Sequence, residues 1–480
     1  KHIKGNMNST ASMPANIRWV IFTALLLIIL QSTQEMLVFH LDEMKLVLTS
    51  DYVWNVSVNN GVLPISLRNH ILSYSRWLPL VILAAMPVSL AIQKRGIPRA
   101  IERADAYIVV FILFIFISCL YSINPRLSFM RAGSVILMYG AVFWGVWLYA
   151  DDFGVEAVAN TIVIVVAIVF GLHILNAIFD PIGSFHSLGR FQGWTINPGI
   201  AAGHAAVLLP FALWIASQRS RWQYWLLVGA ILFVLIMSQT RTELVAAAIG
   251  STYFLVRTYR KRIYISLLGT MLVLVVSYMW IEAGPRLFPQ GTEFRLDKLQ
   301  ETLINNNLDS GQAYNEEDTL KPWYKRVNPR TVHVTTLAHR TDKWRIGLEY
   351  FLERPLQGFG FGTEDRLFAY HDVNPQNYQQ SGAYMHNSYL GLVLQVGIVV
   401  AALFYIPLAC LLFNELWTKR NIQNDPLFDA LLSVVLTCMV AGMVSSELYS
   451  MGNAKSFVFW ISVMLLVRAH NKYQAKSFEF

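Results

Sequence analysis

Apolar stretches of membrane-crossing length recur along almost the whole chain, and that recurrence restricts the fold more than any motif does. In hydrocarbon every backbone amide must find its partner inside the protein, so a spanning segment is either a helix or part of a closed barrel. These stretches are continuous rather than alternating and run to about twenty residues, which selects helices. They fall at 18–40, 71–92, 105–122, 127–149, 155–178, 199–216, 222–238, 242–256, 263–283, 387–413, 428–447 and 455–469. The expected architecture is therefore an all-α polytopic integral membrane protein of about twelve transmembrane helices.

Charge fits the same class. Only 14% of the 480 residues are charged and 55% are hydrophobic, which excludes an ordinary soluble enzyme. Cys119, Cys410 and Cys438 all lie inside apolar spans, so they read as core residues and form neither a disulfide framework nor a zinc site. The net charge of +8 comes from Lys and Arg in short connections between spans, where it reports orientation and not nucleic-acid binding. Placing both termini in the cytoplasm gathers Lys94, Arg95, Arg99, Arg103, Arg219, Arg221, Arg257, Arg260, Lys261, Arg262, Lys419 and Arg420 on the cytoplasmic face.

The opposite face then receives 179–198, the tight turn 238–242, the polar stretch 284–386 and the short connection 448–454. Three domains result: 17–283 with spans 1 to 9, 284–386 as an aqueous loop domain, and 387–470 with spans 10 to 12. Within the loop, Thr341 is placed to cap an amphipathic helix over 342–352, with Trp344, Leu348 and Phe351 on one face and Arg354-Pro355 ending it. Gly358-Phe359-Gly360-Phe361-Gly362 follows a helix and lacks a P-loop lysine, so it reads as a turn and not a phosphate cradle. The segment 300–335, rich in Asn, Asp and Glu, reads as a mobile cover.

The outer face carries arginines that the positive-inside rule does not ask for: Arg190 in Gly189-Arg190-Phe191-Gln192-Gly193, and Arg241 in Ser238-Gln239-Thr240-Arg241. Taken singly, each reads as an interfacial residue or a cap, His386 as a structural hydrogen bond at a helix start, and His173 and His204 as satisfied interior histidines. Together, Arg190, Arg241, Arg340 and His386 suggest chemistry. Metal-binding motifs are missing from the sequence, no cofactor is implied, and guanidinium groups can neutralise a pyrophosphate without a metal. A neutral histidine can take a proton from an attacking hydroxyl near pH 7.

These residues resemble the bacterial O-antigen ligases, which form one superfamily of lipid-linked glycosyltransferases with the O-antigen polymerases. The resemblance is carried by His386-Asn387 with Gly397 nine residues further on, by Gly189–Gly193 with Asn197-Pro198, by Ser238–Arg241, and by Arg340-Thr341-Asp342-Lys343-Trp344 with Pro355–Gly360. It implies a fold like that of the multi-pass lipid-linked glycosyltransferases, in the bacterial inner membrane, with 284–386 as a periplasmic loop. The implied donor is a glycan on undecaprenyl pyrophosphate and the implied acceptor a lipid A-core sugar, with metal-independent, inverting transfer. It further implies His386 as general base, Arg190, Arg241 and Arg340 on the donor diphosphate, and Asn387, Asn197 and Trp344 in support. An O-antigen polymerase or a lipid-linked polysaccharide transporter is the alternative. A transporter should show charged or broken helices at mid-membrane, whereas the charges noted here sit at the outer ends.

Overall fold

A computed structural model of the chain describes residues 16–31, 77–94, 96–179, 181, 184–186, 190–195, 197–219, 221–259, 263–287, 340–370, 385–417, 425–451 and 453–477. In chain order these form α1 (Ile17–Gln31), α2 (Trp77–Lys94), α3 (Arg103–Ser118) and α4 (Pro125–Tyr139), which continues through a π-helical stretch (Gly140–Val146) into α5 (Trp147–Phe153). There follow α6 (Val155–Phe179), a hairpin of β1 (Phe185–His186) and β2 (Arg190–Phe191), α7 (Pro198–Gln218), α8 (Trp222–Met237), α9 (Arg241–Thr258) and α10 (Ile263–Leu287). After the polar stretch come α11 (Arg340–Glu353), α12 (Glu364–Tyr370), α13 (Ser388–Trp417), α14 (Pro426–Gly442) and α15 (Ala454–Ser477). The cover expected over 300–335 lies outside the described residues.

A described helix lies on each of the twelve apolar stretches. Four are long and apolar enough to cross a membrane: Pro125–Phe153, Val155–Phe179, Pro198–Gln218 and Ser388–Leu416. Several starts are written locally. Asn124, Asn197 and Asp425 each accept a backbone N–H of the first turn and are followed by proline at the first helical position. α7 is the central post, buried from Ala201 to Ala216, because its alanines and glycine admit close neighbours. α9 and α14 approach so closely that Ser433 donates its hydroxyl to Gly250 O at 2.6 Å.

Three expectations are corrected. The helix in the loop begins at Arg340, so Thr341 lies inside its first turn and is not its cap. Its buried face runs through Lys343, Gly347 and Tyr350, while Leu348 is exposed. Gly347 decides this: a Cβ there would sit 2.1 Å from Met385 Sδ, so the helix lies down on its glycine and not on its leucine. The third concerns α13, which breaks at Gly397 (φ 75, ψ 168) within a helix of spanning length.

That break is sealed by the glycine turn. Phe359 N and Gly360 N donate to Leu394 O (3.2 Å) and Gln395 O (2.8 Å), and Ile398 N donates to Pro355 O (2.9 Å). Backbone groups freed by the break are thereby satisfied inside the protein, as membrane depth requires. Gly358 and Gly397 both have positive φ, and a Cβ on Gly397 would lie 2.0 Å from Leu356 O. Gly358–Gly362 is thus a turn, as its sequence suggests, and its task is to plug a broken helix.

Candidate active site

Three arginines from separate parts of the chain meet at the turn between α8 and α9. Ser238 closes α8 by donating its hydroxyl to Leu235 O at 2.8 Å, and Gln239 takes a left-handed conformation (φ 55) to redirect the chain. The β1–β2 hairpin delivers Arg190, with Phe185 opposite Phe191 and His186 opposite Arg190. Phe191 is fully buried against Phe185 and Phe233, which anchors the strand. Arg190 then donates from Nε to Ser238 O and from Nη2 to Thr240 Oγ1, both at 3.1 Å.

Arg241 is the first residue of α9, and Arg340, the first of α11, reaches Thr242 Oγ1 at 3.5 Å. Burial lowers the Arg340 pKa from its ordinary value, and nearby Glu243 opposes that shift. All three arginines are half-buried. They surround a helix N-terminus, whose positive dipole end already favours an anion. Guanidinium groups keep their charge when partly dried and fork onto oxygen pairs, so phosphate is the chemistry this cradle fits.

His386 stands at the mouth of α13 in the left-handed region (φ 50), a conformation that costs about 1–3 kcal/mol where surroundings must impose it. The surroundings are explicit. Met385 is gripped at both backbone groups, its N–H by the Glu364 carboxylate and its C=O by Trp344 Nε1 at 2.9 Å. On the other side Asn387 N donates to Ser446 Oγ at 3.2 Å, and Asn387 Oδ1 accepts from Tyr389 N and Leu390 N. Ser388 Oγ donates to Ser445 O at 2.6 Å and accepts from Glu447 N and Leu448 N. The stretch 428–447, expected as one span, therefore ends its helix at Gly442 so that 445–448 can hold the start of α13.

Glu364 also accepts from Gln395 Nε2 (3.0 Å) and Tyr449 Oη (3.2 Å) and is almost fully buried. Burial pushes its carboxyl up to about 7, although those hydrogen bonds pull it down. Space around it is tight, since a Cβ on Gly391 would lie 2.8 Å from Glu364 Oε2.

Two struts join the arginine turn to the histidine. Arg340 and Trp344 are one helical turn apart on α11, about 6 Å, so a single turn touches both Thr242 and Met385. The second strut is Lys455, buried and 2.8 Å from Glu243 Oε1 on the first turn of α9, and paired also with Glu447. A Cβ on Gly203 would lie 2.6 Å from Lys455 Nζ, so α7 closes over the ammonium. Ionised side chains this deep are costly unless paired, and their pairing fixes geometry more than it adds stability.

The structure thus gathers Arg190, Arg241 and Arg340 on one turn, and sets Trp344 and Asn387 on either side of His386. Asn197 is a helix cap, accepting from Gly199 N at 2.7 Å. His173 and His204 are interior, and among the described residues no hydrogen-bond partner reaches either ring nitrogen of His173 or Nδ1 of His204. Glu364, Glu243, Lys455 and Glu447 were not singled out from sequence. Lys455 carried a usable signal, a lysine one residue into an apolar span.

Residues 225–405, from α8 into α13, match the family model described as O-antigen ligase. Over that stretch the chain is similar to the O-antigen ligases. The matched stretch includes Arg241, Arg340, Trp344, Glu364 and His386, while Arg190 and Asn197 precede it and the clamp residues 445–448 follow it. Among proteins similar to the whole chain, one of Rickettsia conorii, named "Putative polysaccharide ligase", is 22% identical over 391 residues, covering 77% of this chain and 79% of its own length. Its namesakes in Rickettsia typhi and Rickettsia felis are each 21% identical, over 74% of this chain and 78% and 76% of their own. Its apolar helices make the chain a multi-pass membrane protein, and over 225–405 it is similar to the O-antigen ligases.

Proposed function

We propose that the chain transfers a glycan from undecaprenyl pyrophosphate to a sugar of the lipid A-core oligosaccharide. In this reading twelve spans lie in the bacterial inner membrane with both termini cytoplasmic and 284–386 periplasmic. Arg190, Arg241 and Arg340 hold the donor diphosphate. His386 takes the proton of the acceptor hydroxyl as its oxygen bonds to the anomeric carbon. The bond from that carbon to the pyrophosphate oxygen breaks, undecaprenyl pyrophosphate departs with its charge met by guanidinium groups, and a single displacement inverts the centre. Catalysis uses no metal.

One observation carries the reading: α11 touches the arginine turn and the backbone beside His386 within one helical turn, so leaving group and base share one rigid mount. The test is transfer by purified full-length protein from lipid-linked donor to lipid A-core in EDTA. Activity lost in EDTA and restored by a divalent cation overturns the metal-free mechanism. A polymerase differs only in its acceptor, and a deletion strain separates the two. Bare core with accumulating lipid-linked chains marks a ligase, whereas core capped by one repeat unit marks a polymerase.

The break at Gly397 favours a second reading, a lipid-linked polysaccharide transporter. Its freed backbone is occupied by 355–360, which argues against an open substrate path there. Glycan transfer by the purified chain with no other protein present excludes a transporter.

A further inference from the structure

α11 has two apolar sectors, and among the described residues only one of them is covered. At about 100° per residue, Lys343, Gly347 and Tyr350 face the interior, with half-buried Trp344 and Phe351 beside them. Next round the helix come Leu348 and Leu352, exposed at 48% and 68%. Beyond them lies a polar sector of exposed Arg345, Glu349 and Glu353. A helix packed on protein and otherwise in water has no reason to present leucines one turn apart between its buried and polar faces.

The exposed leucines do not stand alone. Leu356, 69% exposed, follows Pro355, whose carbonyl accepts from Ile398 N at 2.9 Å. Ile398 and Val399 are themselves 50% and 52% exposed, on a helix long and apolar enough to cross a membrane. Leu356, three residues past the end of α11, is thereby set beside the outward apolar surface of α13. What wets that surface of α13 also wets the leucines.

We infer that α11 is an interfacial helix, its Leu348, Leu352 and Leu356 edge immersed in the acyl chains of the bilayer, its polar sector in water and its third face on the protein. The occupant is lipid, because the edge ends beside a spanning helix and is bordered by a cation: Arg345 flanks the leucines, where a long basic side chain reaches headgroup phosphate while its stem stays in the apolar layer. The inference does not depend on the transfer reaction. It does give α11 a reason to hold Arg340 and Trp344 at a constant depth, that of the membrane surface.

The test uses the full chain with Cys410→Ser, reconstituted in nanodiscs of phosphatidylethanolamine and phosphatidylglycerol. Single spin labels are placed at Leu348→Cys, Leu352→Cys and Leu356→Cys, at Arg345→Cys and Glu349→Cys, and at Ile406→Cys as a reference on the exposed side of α13. Collision with oxygen, which concentrates in lipid, is compared with collision with an aqueous nickel chelate. The three leucine positions should resemble position 406, rich in oxygen and poor in nickel, and positions 345 and 349 should show the reverse. Leucine positions as open to nickel as 349 overturn the inference. Labels shielded from both reagents overturn it too, by showing a protein or a second copy on this face. Three leucine positions guard against one label that perturbs the fold, and the readout needs no catalytic activity.

Discussion

Glu364→Gln should remove a loss of stability that the wild type suffers as pH rises through neutrality and should slow the reaction, and the two effects have separate origins in one carboxylate. Burial raises the carboxyl from 4.5 to about 7. A group whose pKa is raised by folding contributes stability that is fully present below its unfolded value and lost as pH climbs to the folded one. The wild type therefore loses about 3 kcal/mol from this group between pH 4.5 and just above 7. Glutamine, the neutral counterpart of the protonated acid, loses nothing. Melting of the wild type in detergent should fall by several degrees between pH 4.5 and pH 8, while that of the variant stays level over the same range.

Function should move the other way. Above pH 7 the carboxylate accepts from Met385 N, Gln395 Nε2 and Tyr449 Oη together. The amide offers one acceptor oxygen and an NH2, so a donor is left facing a donor. Gln395 cannot flip to relieve it, because its own Oε1 already accepts from Gly362 N at 2.6 Å. A buried donor left unpaired costs about 1–3 kcal/mol. If that cost falls on Met385 and displaces His386, transfer at pH 8 drops between about fivefold and a hundredfold. A variant that melts with the wild type at every pH refutes titration of Glu364 in this window. Wild-type transfer at pH 8 refutes the grip on Met385 as a determinant of His386.

Arg190→Lys and Arg241→Lys keep charge but lose the fork, and each should cut transfer severely; wild-type rates in both would make these arginines mere anchors. His386→Ala should insert and bind undecaprenyl pyrophosphate yet lose about a hundredfold to ten-thousandfold in transfer, and an unchanged rate in a defined assay sinks the base assignment. Trp344→Phe keeps the ring and removes the donor to Met385 O, an effect of about 1 kcal/mol that should appear in kcat more than in KM for donor. Lys455→Met strands Glu243 and Glu447 without their cation and should destabilise by about 3–5 kcal/mol, most of it recovered when both carboxylates become Gln; no recovery would show that the lysine does more than neutralise charge.

The apolar helices were legible because twenty apolar residues in a row have few alternatives in lipid, and the meeting of Arg190, Arg241 and Arg340 at one turn was foreshadowed by arginines that the positive-inside rule does not ask for. The place of His386 just before a helix was legible from the apolar stretch that follows it. Its strained backbone was not, since φ 50 follows from what Glu364, Trp344 and Ser446 do to its neighbours, and those residues lie 22 and 42 residues before it and 60 after it. The face of α11 was misread for the same reason. Hydrophobic periodicity finds apolar positions but cannot tell which are covered by protein and which by lipid, and in a membrane both are apolar environments. Leu348, grouped on one face with Trp344 and Phe351, looked like core because water was assumed on the other side, yet it lies outward beside Leu352. The close approach of Gly347 to Met385, a contact between residues 38 apart, is what turned them outward.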